Sequence, residues 1–251
     1  MARVLILVPQ EGSDPTEVAV PWAALIDAGH DVVFASQTGA MPACDTVTIS
    51  GRGLPLHARF LRARAENRAV HDAMTGSDAW RAPMMWASAH ATDFDAVVFP
   101  GGHAPAMRPY CESPDVQRVA TEAFAGDVLV AAICHGVLPL ARARRVDGAP
   151  LLTGRTTTSL TAMMERTSIL LTRGALGEHY RTYAETVEAE ARRAVGAGGR
   201  YLSGPLPIGY ATKRRPGRGF VAEDGRYLSA RWPGDAWTLG ARLCERLRGN
   251  A

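Results

Sequence analysis

Lysine is almost missing from this chain: it carries 27 arginines and a single lysine, Lys213. Set against 25 acidic residues, this leaves a formal net charge of only +3 over 251 residues. That is too little to mark a surface built for nucleic acid or an anionic membrane. The one dense basic cluster, Lys213, Arg214, Arg215 and Arg218, sits beside Pro216 and Gly217 and reads as a solvated loop. A nucleic-acid patch would carry more charge and interleaved aromatics. Long apolar runs are also absent. The longest, Val4 to Pro9 and Val128 to Ile133, are strand-sized and far short of the ~20 residues of a membrane span. Cysteine is sparse: Cys44, Cys111, Cys134 and Cys244 form no C-x-x-C pair and no zinc-type His/Cys spacing. No metal is therefore expected. No charged segment followed by an apolar one precedes the first strand, so a reducing, cytoplasmic setting without nucleic-acid or membrane partners is expected.

What is present suits a folded enzyme-sized domain. Hydrophobic residues make up 47% and charged residues 21%, which excludes a disordered or collagen-like chain. Val4 to Val8 is a continuous apolar run ended by Pro9, the pattern of a strand buried on both faces. Asp14 then offers an N-cap and Pro15 a first helical position. Val18, Trp22, Leu25 and Ile26 recur at helical spacing, Gly29 stops the helix, and Asp31 to Ala35 is the next strand. Such a strand–helix–strand unit points to a parallel sheet with right-handed crossovers. Further strands are expected at Asp95 to Phe99 and Val128 to Ile133, and a hairpin around Glu223 to Arg226. Helices are expected from Pro114 and from Pro233. Residues 51–92 and 159–200 lack the alternating pattern and read as helical additions to one domain spanning 1–251, with no clear strand in the first. Cys44 reads as a loop residue, and the charges of Glu178 to Arg193 as a solvated helical face.

Cys134 has the strongest chemical context. It stands where a buried strand turns abruptly into a helix, in Ala132-Ile133-Cys134-His135-Gly136. Such a turn lifts a nucleophile at the carboxyl end of the sheet. The helix N-terminus behind it is expected to lower the thiol pKa from ~8.5. His135 follows immediately and can turn its imidazole back toward the sulfur at a bent backbone. Glu17 lies in the first turn after the first strand, at the same edge of the sheet. It can exchange a proton with the thiol or a substrate carbon, or simply complement the helix dipole. Gly101, Gly102 and His103 follow a neighbouring strand, where glycines let backbone N–H groups approach an oxyanion. A plain turn would look the same.

Asp14-Pro15-Thr16-Glu17, Phe99-Pro100-Gly101-Gly102-His103-Ala104-Pro105 and Ala132-Ile133-Cys134-His135-Gly136 stand in an order and spacing that resemble the ThiJ/PfpI superfamily. Ser229-Ala230-Arg231-Trp232-Pro233-Gly234-Asp235 resembles the closing segment of its larger members, so the likeness covers nearly the whole chain. The resemblance implies an α/β three-layer sandwich with a mostly parallel central sheet, flavodoxin-like or class I glutamine-amidotransferase-like, with inserted helical cap segments. The length and added helices are similar to the larger chaperone and glyoxalase III branch. Carried over, Cys134 is the nucleophile, Glu17 the acid/base, and His135 the residue that orients or helps deprotonate. The N–H groups of Gly102 and His135 hold the oxyanion. Glu165 is the positional match for a third carboxylate behind the histidine. The resemblance also implies a homodimer, no cofactor, and a small carbonyl substrate converted through a Cys134 hemithioacetal, as in a glutathione-independent glyoxalase of the D-lactate dehydratase type. Two alternatives keep the same cysteine: an amidase, hydrolase or isonitrile hydratase, and a redox-sensing or holdase chaperone dimer.

Overall fold

The computed structural model describes residues 1–249. Seven strands form one sheet: β1 (Arg3–Leu7), β2 (Asp31–Ser36), β3 (Met84–Met85), β4 (Ala96–Phe99), β5 (Leu129–Ile133), β6 (Val221–Asp224) and β7 (Tyr227–Ala230). Their spatial order is β6-β7-β5-β4-β1-β2-β3. Every pairing is parallel except the β6–β7 hairpin, which turns at Gly225-Arg226. The register sets Ile6 beside Phe34 on one side and Val98 on the other. The central strands are apolar throughout because both faces are covered: Val4 to Val8 and Ala96 to Phe99 are fully buried. Each Val, Leu, Ile or Phe side chain among them contributes roughly 1.5–3 kcal/mol on burial.

Helices α1 (Pro15–Asp27), α2 (Ala65–Thr75), α3 (Pro114–Ala125), α4 (Leu138–Arg142), α5 (Ala162–Leu176), α6 (Val187–Val195) and α7 (Ala236–Arg248) surround it. Helix α1 packs on α2 and α7, while α4 packs on α3 and α6, giving helical layers around a mostly parallel sheet. Asp14 starts α1 as anticipated, its Oδ1 accepting the N–H groups of Thr16 at 2.8 Å and Glu17 at 3.2 Å. Pro21 lies inside α1 and, lacking an N–H, leaves the Glu17 carbonyl without its helical partner.

Three local expectations change. Residues 51–92 contain α2 but also the edge strand β3, which pairs with β2 through Ala35–Met84 and Ser36–Met85. It is too short to show a period. Cys44 is in a short strand, Ala43–Cys44, paired with Glu11–Ser13, and accepts the Ser13 hydroxyl at 3.3 Å. The segment Glu178 to Arg193 is not one solvated helix: α6 begins only at Val187, and Tyr180 and Thr182 are buried.

Candidate active site

Strands β5, β4 and β1 are neighbours, so the loops that leave their carboxyl ends converge. Open α/β sheets place their sites at this edge. The β5 loop delivers Cys134, with φ of 60°, the one non-glycine residue at positive φ among the described residues. An L residue held there costs on the order of 1–3 kcal/mol and marks a functional position when the surroundings enforce it. They do enforce it. A Cβ on Gly136 would stand 2.0 Å from the Phe99 carbonyl oxygen, so only glycine lets the elbow press against the end of β4. A Cβ on Gly101 would stand 2.6 Å from Ile133 O, 2.7 Å from His135 N and 2.7 Å from Glu17 Oε2. Gly101 is thus the point where the elbow, the β4 loop and the carboxyl meet. Gly102 is packed as closely on Gly12 O and Asp14 N, and the Asp14 N–H donates to Gly101 O at 2.8 Å.

The geometry brings Cys134, Glu17, His135 and His103 together. His135 Nδ1 lies 3.5 Å from Cys134 Sγ, and its ring meets that of His103 edge-on, centroids 5.1 Å apart. The Glu17 carboxyl faces the thiol and the Gly101 backbone, but neither oxygen completes a hydrogen bond. Burial, then the neighbouring Asp14 charge, push the Glu17 pKa well above the usual carboxylate range. Burial also raises Asp14 from 3.8 to about 7. Both imidazoles are neutral at pH 7: burial lowers His103 to about 4 and takes His135 well down, with His103 and Arg142 adding to the latter. The ligand atoms of His103, Cys134 and His135 lie within 4.8 Å of one another, a trio the linear spacing did not indicate. Neutral imidazoles and a sulfur could together hold a borderline or soft cation.

The thiol departs from expectation. Cys134 is fully buried instead of presented to solvent. Burial and the facing Glu17 charge raise its pKa, and the His135 N–H, the helix-terminus effect anticipated, lowers it by less. A sealed thiol with a raised pKa is the opposite of the exposed, low-pKa cysteine of a peroxide sensor. A cavity of about 70 Å³ reaches the site and ends on Glu17 and His103.

Glu165 makes no hydrogen bond or ion pair with His135. Its Oε2 accepts the Val187 N–H at 3.0 Å, capping α6, and burial raises its pKa to about 7. His135 Nε2 has no hydrogen-bond partner. Spacing along the chain could not show this, because α5 turns Glu165 toward the start of α6. Conversely, Asp14, Asp45, Tyr180, Tyr210 and Trp232 line the cavity, and of these only Asp14 carried a structural reading, as a cap. The Tyr180 hydroxyl donates to Asp45 Oδ2 at 3.1 Å. Tyr180 and Asp45 lie 135 positions apart, and no local pattern marks either.

Fold and site together define an α/β protein with a cysteine on a strained strand–helix elbow and a desolvated glutamate facing it. The family model described as ThiJ/PfpI family-like matches residues 8–205, and the chain belongs to that family. It is 26% identical over 254 aligned residues to an uncharacterized protein of Schizosaccharomyces pombe, covering 98% of this chain and 82% of that one. Among solved structures, the rapid encystment protein of Francisella tularensis superposes with a TM-score of 0.72 at 16% identity, over 98% of this chain and 99% of that one. Glyoxalase III of Candida albicans does so with a TM-score of 0.67 at 18% identity, over 97% and 96%. These structures share the mostly parallel sheet and its flanking helices. No helix among the described residues is long and apolar enough to cross a membrane.

Proposed function

We propose that the protein is a cysteine enzyme of the glyoxalase III type, converting small 2-oxoaldehydes to 2-hydroxy acids with water as the only co-reactant. The observation that carries this reading is the desolvated Glu17 carboxyl set against the Cys134 thiol at the end of a small cavity. A cavity of about 70 Å³ is several times the roughly 10–15 Å³ that holds a single water, which suits a small substrate such as methylglyoxal. The glyoxalase III of Candida albicans, which has this fold, lends support.

In the proposed reaction the Cys134 proton passes to Glu17 as the sulfur adds to the aldehyde carbon, C1. Glu17 returns that proton to the new alkoxide, leaving a hemithioacetal. Glu17 then takes the hydrogen of C1 as a proton, and the electron pair forms an enediolate across C1 and C2. It redelivers the proton to C2 while the C1 hydroxyl proton passes to the C2 oxygen, which yields a 2-hydroxy thioester on the sulfur. Water cleaves the thioester, releasing the 2-hydroxy acid and the thiol. A carboxyl with a raised pKa suits repeated proton exchange near neutral pH. The main-chain N–H groups of Gly102 and His135 are assigned to the developing oxyanion. Because the cavity ends on Glu17 and His103, admission of substrate to the sulfur requires a small shift of one of these side chains.

An amide hydrolase would use the same nucleophile but lean on His135 as the acid for a leaving nitrogen, and its Nε2 has no third group behind it to hold the imidazole in that role. The test is lactate formation from methylglyoxal by the purified protein without glutathione. Wild type is expected to form lactate and Cys134→Ser is not. Full turnover by Cys134→Ser would refute the mechanism.

A further inference from the structure

The cavity that ends on Glu17 does not stand alone. A second, larger pocket of about 320 Å³ opens outside it. Leu61, Met164, Ser168, Tyr210 and Trp232 line both, so these side chains form a neck between an inner and an outer chamber. The outer walls are mostly apolar, with Arg64, Thr167 and Ser168 among them, and the large apolar side chains are uncovered: Phe60 is 54% exposed, Met163 50% and Ile208 91%. Large aliphatic and aromatic side chains clustered in the open mark a binding surface. The neck is held in shape by aromatic contacts. The Tyr210 and Trp232 rings lie 4.7 Å apart, tilted by 53°, and the Arg64 guanidinium sits 4.0 Å above Tyr210.

Methylglyoxal would fill the inner chamber and leave the outer one empty. We infer that the preferred substrate is a 2-oxoaldehyde bearing an aryl or similarly bulky apolar substituent, its dicarbonyl head against Glu17 and its tail seated among Phe60, Met163 and Ile208. The aromatic and thioether walls favour a flat ring, which they meet edge-on or through sulfur–arene contact. This inference rests on the proposed glyoxalase reading but concerns a different part of the molecule.

The experiment compares kcat/KM for phenylglyoxal and methylglyoxal in wild type and in Ile208→Asp. It also measures acetophenone binding to Cys134→Ala and to Cys134→Ala/Ile208→Asp by calorimetry. Ile208 is almost fully solvated, so its replacement leaves folding intact. The phenylglyoxal-to-methylglyoxal ratio is expected to fall roughly tenfold in Ile208→Asp, as loss of part of an apolar contact implies. Acetophenone affinity should fall by a similar factor. Methylglyoxal turnover with an unchanged ratio would overturn the outer subsite while leaving the glyoxalase reading intact. Absence of turnover together with Ile208-dependent acetophenone binding would do the reverse. A change of oligomeric state in Ile208→Asp, with no change of ratio, would assign the patch to a second copy of the chain and overturn the inference.

Discussion

Asp14 should make the protein less stable as the pH rises, and Asp14→Asn should remove that loss. The carboxyl caps α1 through two backbone N–H groups, and asparagine caps about as well as aspartate, so the helix start survives the change. Burial raises the folded pKa from 3.8 to about 7. The folded state therefore holds this proton more tightly than the unfolded chain. The stabilisation is complete below about pH 4 and disappears as pH climbs to 7. Roughly three pKa units at 1.36 kcal/mol each set an upper bound of about 4 kcal/mol, and about 2–4 kcal/mol is the expected effect. Urea unfolding of wild type and Asp14→Asn at pH 4.5 and pH 8 reads it directly. The wild type should lose more stability between the two by that amount. The acid limb of the kcat/KM profile should also move to lower pH in the variant, because the Asp14 charge helps raise Glu17. Parallel stability curves for the two proteins would refute the reasoning.

Glu17→Gln should lower turnover by about 10²–10⁴-fold, the usual worth of a positioned acid–base group, while raising the melting temperature at pH 8, since the cost of burying an ionisable carboxyl, whose pKa burial raises, has been removed. A fall in both would count against the assignment. Gly136→Ala forces a methyl into the Phe99 carbonyl and should destabilise by about 3 kcal/mol, at the upper end of overpacking costs, visible in thermal unfolding. Cys134→Gly loses about 1.5 kcal/mol relative to Cys134→Ala through chain entropy and a buried methyl. It recovers about 1–2 kcal/mol by relieving the positive φ. The two variants should therefore melt within about 2 °C of each other, and a full 3–6 °C deficit for glycine would show that the elbow is unstrained.

Those parts of the molecule written in short stretches of sequence were legible. The apolar run of β1, the Asp14-Pro15 start of α1 and the strand–Cys–His–Gly elbow each carry their instructions within a few residues. Their meeting at one edge follows from parallel topology. What depends on the packed interior was not legible. The sign of the Cys134 shift is set by how completely the surroundings exclude water, a property of the assembled chain. The edge strand at Met84–Met85 exists because β2 offers it a ladder. Glu165 has the right residue type but gives its Oε2 to the start of α6, and Tyr180 reaches Asp45 only through tertiary packing. The cavity walls came from loops with no periodic signature.

The two rims of the sheet limit how copies of this protein can meet. One rim is the two-residue β3. At the other, β6 is tied to the Thr156–Thr157 segment, whose Thr156 N–H donates to Asp224, and the preceding Arg155 pairs with the same carboxylate at 3.2 Å. Neither rim leaves a long run of free backbone for an intruding strand to template on. Self-association, where it occurs, must be built from side chains and loops, and it can then be tuned by surface mutation without disturbing the ladder beneath the reactive sulfur.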